Sequence, residues 1–244
     1  MLSAQGKAKT ELNIVYIGNS ITQGALLANP DQEAPPAQAS LWLGQQPQIA
    51  TVQYTNQGVS GSTTLDFLPA SSTLLPKVKL ATEKLITNHP QAKLVFSLML
   101  GTNDSAVKGP NGAPVSPAQY YTNVKVIVDE LLSLYPGSIM VIHRPLWYSP
   151  NTYNSAIYLV EGLRRIESYY PQLQALVQFY AQSNPRRVFM GDTEAFDALK
   201  NNYQTLFTPE TNGNAGTFYL HPNKAGAAML GQYWAVAIAK AIAQ

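Results

Sequence analysis

The 244-residue chain contains no cysteine and few charged residues. Without thiols it has no disulfide, no cysteine-bound zinc or iron–sulfur site and no thiol nucleophile, so any nucleophile is an oxygen or a nitrogen. Charged residues make up 12% of the chain, against about a quarter in a typical globular protein. Because 45% of the residues are hydrophobic, we expect one folded domain with a sizeable core rather than a disordered chain.

The charge distribution gives no sign of a polyanion partner. The chain has 16 basic and 14 acidic residues, and no basic cluster is longer than the pair Arg186-Arg187. Nucleic-acid binding is therefore not expected. The apolar stretch 225–243 is interrupted by Gln232 and Lys240, which favours a packed helix over a membrane span.

Residues 1–11 lack the apolar core of a signal peptide and are interpreted as a disordered lead-in, or as the remnant of a trimmed signal, before a single domain spanning 12–244. The low charge and the richness in Asn, Gln, Ser, Thr and Tyr are typical of exported bacterial proteins. We therefore expect a periplasmic or extracellular location with the signal missing from this chain, and a cytoplasmic location is the alternative. The sequence gives no indication of oligomeric state.

Short β-branched runs alternate with longer segments of helical periodicity, which predicts an α/β fold. The predicted strands are 12–17, 49–55, 93–100, 139–143 and 188–190. The predicted helices are 35–45, 74–88, 117–135, 154–182 and 222–243. This rhythm favours a five-stranded, flavodoxin-like parallel sheet, in which ligands bind beyond the carboxyl ends of the strands. Two long loops, 105–116 and 201–218, are predicted to form walls of such a site.

Polar residues follow three of the predicted strands. Ser20 comes after the first strand in Gly18-Asn19-Ser20, where its hydroxyl would lie near backbone N–H groups. Gly61 follows the second strand, and Asn103 follows the third in Gly101-Thr102-Asn103-Asp104. The Asn103 amide is a neutral donor that can stabilise an oxyanion, although each segment alone is also typical of an ordinary turn or helix cap.

The chain has three histidines. His89 precedes the third strand and is expected at the amino edge, away from Ser20. His143, after the fourth strand, and His221, before the last helix, are both expected at the ligand edge. Either of them can serve as the base for a serine nucleophile.

Taken together and in this order, the segments around Ser20, Gly61, Asn103 and His221 resemble the four blocks of the SGNH hydrolases, also called GDSL esterases and lipases. The resemblance spans almost the whole chain. It implies a three-layer α/β/α fold, Ser20 as nucleophile and His221 as general base. It also implies an oxyanion hole formed by the N–H groups of Ser20 and Gly61 and by the Asn103 amide, with no cofactor and no metal.

The sequence departs from this family at two positions. Asn19 stands where the family usually has Asp, and Phe218 stands where the family has the Asp that orients the histidine. We expect a backbone carbonyl near 217–218 to replace that acid, giving a Ser20–His221 dyad, with Asp192 after the fifth strand as the second choice. Glu194 and Glu210 are more distant options.

The implied activity is hydrolysis of a short acyl ester, with acetyl on a carbohydrate preferred because no long apolar lid helix is evident. A lysophospholipase or thioesterase of the same family is the alternative. Two further alternatives are a flavodoxin-like module that binds phosphate through residues 20–24 and a carbohydrate-binding protein without turnover. The latter would use aromatic residues such as Trp147, Tyr148 and Tyr153.

Overall fold

The computed structural model describes residues 9–244. Its strands are β1 (Thr10–Gly18), β2 (Ile49–Gly58), β3 (Lys93–Met99), β4 (Ile139–Ile142), β5 (Val188–Met190), β6 (Phe207–Asn212) and β7 (Gly216–Pro222). The first five form a parallel sheet in the order β2-β1-β3-β4-β5. This is the flavodoxin-like order, so the predicted fold class is confirmed.

The α-helices pack on both faces of the sheet. They are α1 (Ser20–Gln23), α2 (Pro30–Glu33), α3 (Pro35–Gly44), α4 (Leu75–Asn88), α5 (Pro117–Leu134), α6 (Leu159–Ser183), α7 (Ala195–Asn201), α8 (Tyr203–Leu206) and α9 (Lys224–Ile242). Helices α4, α5 and α6 cover one face, while α3 and α9 pack against each other on the other face. Right-handed crossovers between parallel strands account for this division. None of these helices is long and apolar enough to cross a membrane.

The central strands are buried because helices cover both sides of the sheet. In β1 every residue from Leu12 to Gly18 is buried, and β3 is buried from Leu94 onward. Such continuous burial explains why both segments are apolar runs rather than alternating patterns. Strand β1 begins at Thr10, two residues before the predicted start of the domain. Residues 1–8 of the predicted lead-in lie outside the described residues.

The segment 201–218, predicted as a long loop, is instead the end of α7, the single helical turn α8 and an antiparallel hairpin of β6 and β7. The Asn212-Gly213-Asn214 sequence that suggested a loop lies at the hairpin turn, where Asn214 N donates to Asn212 Oδ1. Gly216 there has a φ of +66°. In the hairpin register Glu210 is paired with Phe218, which brings a carboxylate next to the position where the family places its acid.

The carboxyl ends of β1 and β3 mark the point where the strand order reverses, and ligands bind at such points in open α/β sheets. Helix α6 begins at Leu159, five residues later than predicted, and this leaves residues 149–158 as a loop over the same edge. Helix α5 begins as predicted, because the Ser116 side chain accepts from Gln119 N. The fold thus concentrates loops where the sequence predicts a site.

Candidate active site

The turn after β1 presents Ser20 at the start of α1. Asn19 caps this helix, since its Oδ1 accepts from Ile21 N at 3.0 Å. The Asn that replaces the family's Asp therefore still supports the turn. Ser20 itself is buried except for 7% of its surface, so its hydroxyl lies on the floor of a cleft.

His221 lies at the end of β7 with its ring between Ser20 and Glu210. Its Nε2 is 3.0 Å from Ser20 Oγ, and its Nδ1 is 2.9 Å from Glu210 Oε1. The backbone N of His221 also donates to Glu210 Oε1, at 3.2 Å. Because a carboxylate can only accept, Nδ1 carries the proton and Nε2 is free to accept the serine proton. This is the arrangement of a nucleophile, a base and an orienting acid.

The partner of His221 is Glu210, one of the two more distant options, and not the backbone carbonyl or Asp192, the two substitutes that the sequence analysis preferred. No backbone carbonyl near 217–218 takes the Nδ1 proton, because the Glu210 carboxylate occupies that place. Asp192 is not near His221 either: its carboxylate accepts from the backbone N of Glu194 and of Ala195 at the start of α7. Burial raises the pKa of Asp192 to about 6. The physical reason is strand order, since β3 and β4 separate β5 from β1 by roughly 14 Å at the usual strand spacing.

The other two histidines are remote from Ser20. His143 is fully buried and stacks on Trp234, with its Nε2 2.9 Å from Ser97 Oγ and its Nδ1 accepting from Asp192 N. Burial lowers the pKa of His143 to about 3, so the ring is neutral at ordinary pH. His89 ends α4 at the opposite edge of the sheet, as the sequence predicts. Only His221 contacts the serine.

Gly61 and Asn103 face the same cleft as Ser20. Gly61 has a φ of +79°, a conformation that glycine adopts most easily. A side chain there would find its nearest neighbour, Pro110 Cγ, only at 3.9 Å. The space in front of this backbone is therefore open to a ligand. Asn103 is 4% exposed, and its Nδ2 donates to Ser62 O at 2.8 Å, which leaves its second N–H for another acceptor.

These groups line one pocket of about 180 Å³. Besides Ser20, Gly61, Asn103 and His221, its lining residues are Ala25, Ser60, Pro110, Asn154, Ser155, Ala156, Tyr158 and Leu220. Pro110 and residues 154–158 come from the two loops that reach over the carboxyl edge. A larger groove of about 950 Å³ lies along β5 between α6 and α9 and includes Asp192 but none of the four central residues.

Two neighbours of the pocket were not found from the sequence. Tyr158 donates to Asn103 Oδ1 at 2.7 Å, and Gln23 Oε1 accepts from Ser60 N at 2.8 Å. Tyr158 lies within the segment 154–182 predicted as helix, so no sequence signal separates it from helix residues. Among residues 9–244, no group of three or more His, Cys, Asp or Glu side chains is placed to hold a metal ion.

The comparisons with known proteins identify the family of the chain and agree with its fold. The model of the GDSL-like lipase/acylhydrolase family matches residues 16–229. The fold is similar to that of an aryl esterase from M. smegmatis (TM-score 0.62, 16% identity, 94% of this chain and 99% of that one). It is also similar to Est24, a carbohydrate acetylesterase from Sinorhizobium meliloti (TM-score 0.61, 17% identity, 94% and 99%).

A third similar structure is a two-domain esterase active on acetylated mannans, with a TM-score of 0.56 and 15% identity. The alignment covers 96% of this chain and 50% of that one. No curated protein matches the sequence. At these identities the solved structures establish the shared fold.

Proposed function

The chain belongs to the GDSL-like lipase/acylhydrolase family of ester hydrolases, and we propose that it removes short acyl groups, acetyl above all, from carbohydrate esters through an acyl-enzyme on Ser20. The observation that carries the proposal is the continuous set of contacts from Ser20 Oγ to His221 and from His221 to Glu210, on the floor of a small pocket. A nucleophile, a base and an orienting carboxylate in mutual contact are what ester hydrolysis requires.

The reaction runs in two half-cycles. Ser20 Oγ attacks the ester carbonyl carbon while His221 Nε2 takes its proton, and the Glu210 carboxylate stabilises the resulting imidazolium. The imidazolium then protonates the departing alcohol as the tetrahedral intermediate collapses to the acyl-enzyme. Water, deprotonated by His221, attacks the acyl carbon and releases the carboxylic acid, and the proton returns to Ser20 Oγ.

The developing oxyanion requires donors that are in place before the reaction. We assign this role to the backbone N–H groups of Ser20 and Gly61 and to Asn103 Nδ2, because Ser20, Gly61 and Asn103 all line the pocket. Each well-placed donor contributes about 3 kcal/mol to transition-state stabilisation. No cofactor and no metal ion takes part in these steps.

The size and lining of the pocket support a short acyl group. About 180 Å³ is well below the roughly 300–1,000 Å³ of pockets for drug-sized ligands. Ser60, Asn154 and Ser155 add hydroxyl and amide groups to its rim, which suit sugar hydroxyls better than a lipid chain. The names of two similar structures, a carbohydrate acetylesterase and an esterase active on acetylated mannans, point in the same direction.

The alternatives have less support from the geometry. A carbohydrate-binding protein without turnover would lack the acid of the triad, whereas here Glu210 stands beside His221. Two of the aromatic residues considered for that role, Trp147 and Tyr148, are buried. A lysophospholipase or thioesterase needs a long apolar channel, whereas the lining near Ser20 is short and mixed.

A panel of p-nitrophenyl esters tests the acyl preference. We expect kcat/KM to be highest for acetate and to fall at least tenfold by octanoate, because the pocket cannot enclose a long chain. Acetylated xylan and acetylated mannan should release acetate, measured enzymatically. A kcat/KM that rises with chain length would favour the lysophospholipase or thioesterase instead, and no hydrolysis of any ester would remove the proposed function.

A second test distinguishes the roles of His143 and His221. His143→Gln should keep kcat within about threefold of the wild type, because His143 lies in the core and contacts Ser97 rather than Ser20. Its thermal midpoint should fall by several degrees, since a buried hydrogen bond is worth about 1–3 kcal/mol when one partner is lost. His221→Gln should leave no measurable turnover at a nearly unchanged midpoint. The reverse pattern of activities would reassign the base.

A further inference from the structure

The Asn103 amide is held in one orientation by two neighbours. Its Oδ1 accepts from Tyr158 Oη at 2.7 Å, and its Nδ2 donates to Ser62 O at 2.8 Å. If the amide were rotated by half a turn, Oδ1 would face the Ser62 carbonyl, and two acceptors would oppose each other. Tyr158 and Ser62 together therefore keep Nδ2 on the side of the pocket, where a donor is needed.

The environment of Tyr158 keeps its hydroxyl protonated, so that it remains a hydrogen-bond donor. The side chain is 3% exposed, and burial raises the pKa of its phenol well above the ordinary value of 10, with the nearby Glu210 charge adding to the effect. The hydroxyl thus keeps its proton throughout the range in which an esterase works. Its partner Oδ1 has no proton to give, so the direction of this hydrogen bond is fixed.

From these contacts we propose that Tyr158 is a positioning residue for the oxyanion hole, acting through Asn103. The inference rests on the proposed esterase function. A hydrogen bond donated to Oδ1 draws electron density from the amide nitrogen and makes the remaining N–H of Nδ2 a stronger donor. In the proposed reaction that N–H donates to the oxyanion, whose charge develops as the transition state is reached. The effect of Tyr158 therefore falls on kcat rather than on substrate binding.

The backbone around Tyr158 holds the residue in this place. Leu159, which follows directly, has a φ of +55°, in the left-handed region that leucine rarely adopts. Tyr158 N donates to Thr152 O, and Ile157 bridges to Lys108 on the neighbouring loop. Strained backbone of this kind persists where surrounding contacts over-determine it, often at functional sites.

Tyr148 offers a matched control. It is fully buried, it packs against Tyr158 with ring centroids 5.2 Å apart, and its hydroxyl lies 2.8 Å from Ser105 Oγ. Replacing either tyrosine with phenylalanine removes one oxygen atom and one hydrogen bond of similar length in the same aromatic pair. Of these two hydroxyls, only that of Tyr158 contacts Asn103. Both variants therefore lose one buried hydrogen bond, but only Tyr158→Phe removes the contact with the proposed oxyanion donor.

The first test compares Tyr158→Phe with Tyr148→Phe, using p-nitrophenyl acetate. We expect Tyr158→Phe to lower kcat about tenfold with KM unchanged, the usual effect of losing one useful hydrogen bond. Tyr148→Phe should keep the wild-type kcat, and both thermal midpoints should fall by a similar amount. Equal kcat values for the two variants, or a rise in KM at unchanged kcat, would overturn the proposal.

The second test asks whether Tyr158 acts through Asn103. In an Asn103→Ala background, Tyr158→Phe should cause no further loss of kcat, because the amide that it positions is gone. A further tenfold loss in that background would show an independent, merely structural contribution and would overturn the proposal. These outcomes are read against an active wild type, whereas failure of the proposed function would appear as no ester hydrolysis by the wild type at all.

Discussion

Replacing Ser20 with alanine is expected to lower kcat for p-nitrophenyl acetate on the order of a million-fold, the scale of loss when a serine nucleophile is removed. Without the hydroxyl, His221 Nε2 has no proton to take at 3.0 Å, and no acyl-enzyme forms. The remaining donors would still favour attack by water slightly. Steady-state kinetics on highly purified variant protein measures the loss, and the thermal midpoint confirms that the fold is intact.

Covalent labelling tests the same residue without turnover. A p-nitrophenyl phosphonate ester should modify Ser20 in the wild type, as identified by mass spectrometry of the digested protein, and should not modify Ser20→Ala. Ser60→Ala is the matched control, because Ser60 lines the same pocket but its hydroxyl donates to Gln23 Oε1. This control should still be labelled at Ser20. Label on any other residue, or full activity in Ser20→Ala, would rule out the proposed mechanism.

The proposed nucleophile and base should act as a unit. Removing Ser20 and His221 together should cost no more than removing either one, because each step that uses one of them also uses the other. If the losses in the Ser20→Ala/His221→Ala double variant were additive, the two residues would serve different reactions.

Much of the fold can be predicted from local sequence patterns, without any knowledge of tertiary contacts. The apolar runs of β1 and β3 are buried on both faces, and such runs separated by helical periodicity predict a parallel sheet. Because the carboxyl ends of parallel strands share one edge, the sequence alone predicts that Ser20 and Asn103 lie at the same edge of the sheet. The prediction needed neither the strand order nor the register.

The predictions that the structure contradicts depend on strand order and strand register, which a single sequence does not show. Asp192 follows a strand at the correct edge, yet the strand order places β5 last, beyond β3 and β4. The hairpin of β6 and β7 is not predicted because residues 208–212 of β6 are all polar or proline, without apolar alternation, although Asn212-Gly213 is itself a hairpin-turn sequence. Without the hairpin register, nothing indicated that Glu210 is paired with the residue three positions before His221.

That register explains how the site has a carboxylate although the family position holds phenylalanine. Residues paired across an antiparallel hairpin project to the same face, with Cβ atoms about 4.5–5.5 Å apart. A glutamate on β6 is one methylene longer than an aspartate, and it extends past buried Phe218 to Nδ1 of His221. The carboxylate is therefore supplied by β6 instead of β7, while Phe218 packs in the core.

Glu210→Gln is expected to lower kcat about ten-thousandfold with little change in KM. Glutamine keeps the length of the side chain, but it loses the charge that stabilises the imidazolium, and its amide can turn an N–H toward Nδ1 and impose the wrong tautomer. The control is Asp192→Asn, because asparagine also caps helices well and should leave the fold intact and kcat within about threefold. If Glu210→Gln instead retained turnover within tenfold at an unchanged thermal midpoint, His221 would work without an acid. The Ser20–His221 dyad would then replace the triad.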